Sequence, residues 1–405
     1  MTNRGNIYRY IKEGITETVN IFIGECKNIF KDSGVILIFF VAGIAYPLLY
    51  NFVYYNESIQ DIPVAVVDRS ASSDSRRFIK KLEATKEVEV VNCADMEQAE
   101  ALMTSRDVHG IVLIPEDFHV KLAHKEQATI SAYLNMACFL IYKNVALAVN
   151  YVMLDETKQI QVDRYAAGGI TGEKAQQLIT AIPYEENTLY NPGNGFTSFF
   201  LPALLIVIIH QTLFFGVGML AGTAREENKN RKLYPAYETM HGIFRIIFGK
   251  AAAYIFLYSF LTAYITILVP RIFNLPHLGS PWDIYRIMFP FLLAATFFAM
   301  SFAAVIKNRE TGMVMFLFFS IILLFLSGFS WPVTNMPAFW KYFSWLFPST
   351  FGVQGYIKIN TMGADISQVR FEYVALWIQA GVYFLIACFS MQYVIKKESD
   401  IPQSV

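Results

Sequence analysis

The chain is 405 residues long, 55% hydrophobic and 16% charged, with 33 Lys and Arg against 33 Asp and Glu. Soluble globular domains carry about 25% charged residues; here the deficit falls in long uncharged stretches, which excludes a wholly soluble chain and indicates a membrane protein. The balanced charge and the lack of any Lys/Arg block give no footing for nucleic acid, and Cys26, Cys93, Cys138 and Cys388 have no metal-ligand spacing.

The first element lies in residues 7–30, where Ile7, Ile11, Ile15, Val19, Phe22 and Ile23 recur at three- and four-residue steps with Tyr8 on the same face. That period predicts an amphipathic helix. Standing just before an apolar run, residues 1–33 are expected to lie along the inner membrane surface; the alternative is a helix packed on other loops. Residues 34–55 are the first expected transmembrane helix. The uncharged run is of full spanning length and follows thirty-odd mostly polar residues, so it is expected to stay as a signal anchor.

Residues 56–195 differ in composition, with twenty acidic and thirteen basic residues between 57 and 186. "IPVAVVD" reads as a buried strand, "SSDSRRFIKKLEAT" as a helix capped by Ser72 or Ser73, and "VEVVN" as a second strand. "ADMEQAEALMTSRD" continues as a helix, "HGIVLIP" as a strand, "PEDFHVKLAH" as a helix start and "ATISAYLN" as a fourth strand. The alternation predicts a small α/β domain, followed by a long helix over about 139–160 and a break at "NPGNG". Cys93 and Cys138 both fall here; their spacing fixes no bridge, and two buried free thiols are the expected state.

Uncharged windows at 187–224, 251–270, 287–306, 311–340 and 373–395 follow. A bilayer core of roughly 30 Å takes about 20 apolar residues of helix. The expected fold is therefore an α-helical polytopic membrane protein with six transmembrane helices, helices 2–6 lying in 196–395, and an α/β extracytoplasmic domain inserted between helices 1 and 2. With the N-terminus inside, segments 1–33, 225–250, 307–310 and 396–405 carry fifteen Lys and Arg, and the short outer segments carry five. The positive-inside rule thus puts both termini, including the 396–405 tail, in the cytoplasm.

His210 is the only residue inside a window that titrates near neutrality. It is either a ligand or pathway residue or a neutral histidine bonded to a backbone carbonyl. No window centre carries Asp, Glu, Lys or Arg, which disfavours an ion-coupled carrier and favours energy supplied from outside the chain. No G-x-x-x-x-G-K-[S/T] loop, nucleophile elbow or H-E-x-x-H occurs.

Four stretches carry a resemblance: "GECKNIFKDSGVILIFF", the run from "DIPVAVVDRS" to "HGIVLIPEDF", "AREENKNRKLYPAYETMHGIFRIIFGKAAAYIFLY", and "LSGFSWPVTNMPAFWKYFSWLFPSTFGVQGYIKI". In this order they resemble ABC transporter permeases of the type-2 export class over nearly the whole chain. The resemblance implies a subunit without its own cofactor, with ATP and Mg bound by a separate ABC ATPase. It implies a homodimer or paired permease in the bacterial cytoplasmic (inner) membrane, surrounded by lipid, and it admits a periplasmic adaptor protein. The cargo it implies is hydrophobic or amphipathic. The other reading is a non-transporting membrane-anchored receptor or assembly factor that binds a ligand through the α/β domain.

Two regions take roles from the resemblance. Segment 225–250 corresponds to the loop that couples to the ATPase, which assigns Arg225, Glu226, Glu227, Lys229, Arg231, Lys232 and Tyr234 to that contact, although the family's Gly–Thr pair is missing from "EENKNRKLYPAYE". Segment 328–357 corresponds to a pair of short re-entrant helices at the outer face. Pro332 and Pro337 are expected to break the fifth helix there, with Pro348 interrupting the segment further on. Trp331, Trp340 and Trp345 fit the aromatic belt, and Lys341 can reach the headgroups. An ordinary outer loop lying on the membrane is the alternative.

Overall fold

The computed structural model describes residues 2–399 except 181, 184, 186, 239 and 240, with side chains from residue 12 onward apart from that of 316. The side chains of Ile7, Tyr8 and Ile11, and tail residues 400–405, lie outside the described residues. The chain divides into two units, Asn56–Asn187 and the remainder.

In Asn56–Asn187 four strands, β1 (Ile62–Asp68), β2 (Val88–Cys93), β3 (Gly110–Ile114) and β4 (Ser131–Leu134), form one sheet in the order β2-β1-β3-β4. β1 runs parallel to β2 and β3, and β4 is antiparallel to β3. Alternation along β1 divides its side chains between two layers. Ile62, Val64 and Val66 meet Phe78 and Leu82 of helix Ser73–Glu83 and Val145, Val149 and Val152 of helix Phe139–Ala167. Ala65 and Val67 meet Ala99 of helix Met96–Ser105. Ser72 caps Ser73–Glu83 in a capping box with Ser75. Buried Glu156 joins the two helices of the first layer, pairing with Arg77 at 3.0 Å and Lys81 at 2.8 Å. Those contacts hold both cations above their ordinary pKa, Arg77 chiefly through Glu156 and Lys81 chiefly through Asp155. Cys93 and Cys138 are both free thiols.

Among the described residues of the other unit, six helices are long and apolar enough to cross a membrane: Ser33–Val53, Phe196–Glu226, Gly242–Ile272, Pro281–Ala304, Arg309–Leu326 and Arg370–Ser399. They are called spans one to six below. Their starts are written in the sequence. Asp32 caps span one by accepting from the amides of Gly34 and Val35. Ser280, Pro281 and Asp283 start span four, and Asn308 caps span five through the Thr311 amide.

Span two is the central helix. It is 89% buried, against 72% for span four and 18% for span five, so spans two and four form the interior and span five an edge. Gly218 and Gly312 let spans two and five approach backbone to backbone, since an ideal Cβ at 312 would stand 3.0 Å from Gly218 carbonyl atoms. The outward face of span five carries Val314, Leu317, Phe318, Ile321 and Phe325.

Span five ends at Leu326, well short of the expected break at Pro332 and Pro337. The cause is Gly328, whose φ of +79° is a left-handed conformation that stops a helix. A short helix, Ala338–Ser344, and a longer one, Pro348–Asn360, follow. Side chains tie this segment to its neighbours. The Thr350 hydroxyl donates to the Leu326 carbonyl at 3.1 Å and to that of Ser344 at 2.7 Å. Gln379 of span six donates to the Trp345 carbonyl at 2.7 Å, and the Tyr383 hydroxyl donates to that of Leu346. Asn360 donates to the Pro276 carbonyl in the loop between spans three and four at 3.1 Å.

The N-terminal helix, Thr2–Lys31, packs along span three, where Gly249 admits Ile21 and the Thr18 carbonyl. Ile15, Val19, Ile23 and Phe30 point outward on its other face.

Candidate functional site at the basic end of the bundle

At the end of the bundle that carries the basic loops, four charged contacts join elements distant in sequence. Arg309, the first residue of span five, makes a two-pronged contact with Asp32 before span one, both bonds at 2.8 Å. Burial raises the Asp32 carboxyl, but the Arg309 hydrogen bonds and the Val35 and Gly34 amides outweigh it and hold it below its ordinary value. The Arg309 backbone N–H donates to Glu226, at the end of span two, at 3.2 Å. One residue therefore links the start of span one, the end of span two and the start of span five.

Glycine makes this junction possible. An ideal Cβ at Gly222 would lie 2.6 Å from the Asn308 carbonyl oxygen and 2.7 Å from the Arg309 Cα, so only glycine lets span two pass so close. A side chain at Gly34 would collide with the Arg309 guanidinium.

Two further contacts bind the N-terminal helix to span three: Glu17 with Arg245 at 2.8 Å, and buried Glu25 with Lys250 at 2.9 Å and the Tyr254 hydroxyl. The fourth fixes the loop after span two to the end of span six, where buried Glu398 accepts from Asn230 at 2.9 Å and lies 3.7 Å from Arg225. Between these contacts is a cavity of about 330 Å³ bordered by Lys31, Asp32, Thr223, Glu227, Lys250 and Arg309.

The segment expected as loop 225–250 is shorter as an irregular stretch. Span two continues helical through Glu226 and span three begins at Gly242. Between them lie a turn at Lys229–Leu233 and a short helix, Tyr234–Glu238. Its seven assigned residues part into two groups. Glu226, Glu227 and Lys232 are exposed, and Lys229 pairs with Glu227 at 2.5 Å. Arg225 turns inward towards Glu398; Arg231 is half-buried, and Tyr234 is half-buried with its ring 6.1 Å from Tyr237. The resemblance marks none of Asp32, Glu25, Lys250, Arg309 and Glu398, although Lys250 and Arg309 enter the positive-inside count. The one local signal among them is Asp32 before Ser33 and Gly34, an N-cap pattern.

Trp331, Trp340 and Trp345 are exposed or nearly so on the bundle surface at the opposite end. His210 is far from these groups in sequence. It is fully buried and faces Phe291 and Phe298 of span four, with no carbonyl partner for either ring nitrogen among the described residues. The two rings beside it are those of phenylalanine.

Six apolar helices joined by polar contacts at their ends describe a multi-pass membrane protein. The family follows from comparison: residues 34–389 match ABC-2 family transporter protein, and the chain belongs to that family. Such a chain is the membrane permease of an ABC transporter and is not itself catalytic. No curated relative matches it.

Proposed function

We propose that this chain is the membrane subunit of an exporter, driven by a separate ATPase chain that binds ATP and Mg. The basic end lies in the cytoplasm, on the strength of fifteen Lys and Arg against five in the short segments of the other side. The α/β unit then lies outside, where it gates the exit or meets an adaptor. Segment 328–357 re-enters the outer leaflet and closes that end. The outward apolar stripe of the N-terminal helix lies on the inner membrane surface, and two permease chains assemble side by side.

A single observation carries the coupling. Glu226 is exposed at the end of span two, beside the loop, and accepts from the backbone N–H of Arg309, whose side chain holds Asp32. A partner that displaces the loop through Glu226, Glu227 and Lys232 thereby acts on the starts of spans one and five. The cargo is a hydrophobic or amphipathic molecule, since the interior between the spans is apolar and aromatic.

The test is co-expression with the cognate ATPase and reversal of both Glu226 and Glu227 to lysine. ATP-driven export of an amphipathic dye should fall about ten-fold, the equivalent of about 1.4 kcal/mol in coupling. Lys232→Cys should be labelled only from the cytoplasmic face. Unchanged export in the double reversal, or labelling of residue 232 from outside, would refute the reading.

A further inference from the structure

His210 stands in the middle of span two, and the stretches of spans two and four that meet there hold no charge. Residues 197–224 and 287–306, which bring His210, Phe291 and Phe298 together, contain no Asp, Glu, Lys or Arg. An imidazolium without a counter-charge in such a medium is very costly, so the ring is neutral. A neutral imidazole still has one N–H to donate and one lone pair to offer. Neither ring nitrogen meets a partner among the described residues. Phe291 and Phe298 stand T-shaped to the imidazole at 6.0 and 5.5 Å between centroids, and a phenyl ring offers the N–H a weak π acceptor at best and the lone pair nothing. In hydrocarbon an unmade hydrogen bond costs on the order of several kcal/mol. A leucine would fill the place without that cost.

The surroundings are aromatic ring contacts. Phe298 is a hub whose ring meets Phe214 of span two at 5.7 Å, Phe319 of span five at 6.0 Å, Phe347 at 6.0 Å and Tyr383 of span six at 5.1 Å. Each such ring pair adds only about 1 kcal/mol beyond its buried area, so a flat or alkyl body can replace them. On the other side Phe291 lies against Gly352 of helix Pro348–Asn360, closer than any side chain at 352 would permit. The elements that converge on Phe291 and Phe298 are thus spans two, four, five and six and the helix that tops the aromatic end.

We propose that His210 is the recognition point of a ligand site that opens when these rings separate, and that the site takes an uncharged amphiphile, an alkyl or aryl body bearing a hydroxyl or amide. The body replaces the ring contacts of Phe298. The head accepts from the imidazole N–H or donates to its bare nitrogen. A cationic or anionic head finds no counter-charge there and is rejected. That the amphiphile is cargo rests on the export reading; that it binds does not.

The test uses the full chain in lipid nanodiscs, labelled with 15N-histidine, the His210 signal being identified by its loss in His210→Gln. Dodecanol, dodecyltrimethylammonium and dodecyl phosphate share a chain and differ in head charge. Dodecanol should shift the His210 ring nitrogens saturably, and the two ionic probes should not. A diazirine-bearing dodecanol should label spans two and four; labelling should fall about ten-fold in His210→Phe and persist in His210→Gln, the worth of one buried hydrogen bond. Absence of a saturable shift with dodecanol, equal shifts with the ionic probes, or full labelling of His210→Phe would overturn the inference. So would a hydrogen-bonded nitrogen shift before any probe is added, which would assign the partner to resident water. Export by the complex is scored separately. A chain that exports while His210 ignores dodecanol sinks only this inference, and one that binds dodecanol but exports nothing sinks only the export reading.

Discussion

Removal of the Arg309 guanidinium tests whether the junction at the basic end holds spans one and five together. Two charge-assisted hydrogen bonds of 2.8 Å are lost, and the Asp32 side chain, 9% exposed, is left with only its cap amides. A hydrogen bond to a charged group contributes about 1.5–3 kcal/mol. The two prongs share one ion pair, and Arg309 is 31% exposed and partly screened, so about 2–3 kcal/mol is expected for the pair rather than twice that. Asp32→Asn separates the pair from the cap, because asparagine caps as well as aspartate but brings no charge to Arg309. A double-mutant cycle over Asp32→Asn and Arg309→Met should therefore give a coupling of about 2 kcal/mol. Hydrogen exchange in the first turns of spans one and five should speed up by about thirty-fold in either single variant, with little added in the double. Additive effects, or unchanged exchange in Arg309→Met, would show that the contact is a surface pair without structural weight.

Two shorter predictions follow from the same junction. Gly222→Ala should lower the thermal midpoint of the detergent-solubilised chain and part spans two and five, because the new Cβ meets backbone atoms at 2.6–2.7 Å that cannot turn aside; Gly24→Ala, with nothing within 4 Å, should be harmless. The Asp32 carboxyl is depressed below its ordinary 3.8, so its contribution is fully present above that value and is lost as pH falls through the lower folded one; an acid loss of stability seen in the wild type should be blunted in Arg309→Met.

Much of the fold could be read from local pattern because the period of each element is its own signal. The uncharged windows overlie the six long helices, since a lipid-facing helix must be apolar over its length whatever it packs against. The strand at 62–68 was readable from a β-branched run between turn residues, and Ser72 from its capping chemistry. Boundaries were less readable where two breakers compete. Pro332 and Pro337 drew the end of span five forward, whereas the left-handed Gly328 stops it first. The third window began at 251 by its last charge, Lys250, yet the helix starts at Gly242. It includes Arg245 and Lys250 because Glu17 and Glu25 of the N-terminal helix neutralise them.

That last point explains why the site was harder to read than the fold. A cation at the end of a span has two physical uses, topology and pairing, and the sequence around it is the same for both. Arg309 counts towards the positive-inside excess and also closes on Asp32, 277 positions earlier. Which carboxylate a cation meets is decided by how closely the backbones pass, and that is set by Gly222, Gly218 and Gly312, residues with no side chain to form a pattern. Six of the seven loop residues that the resemblance assigns are charged, and charge does not distinguish Arg225, turned in to Glu398, from Lys232, turned out. On the proposed export reading, a docking surface is selected twice: first by polarity, then by which charges the bundle leaves over after its own contacts are made. Glu226 differs from the charges left over: it is exposed at the end of span two, yet its carboxylate also accepts from the backbone N–H of Arg309, whose side chain holds Asp32. It is the position at which a force applied from outside the bundle has the shortest path into it.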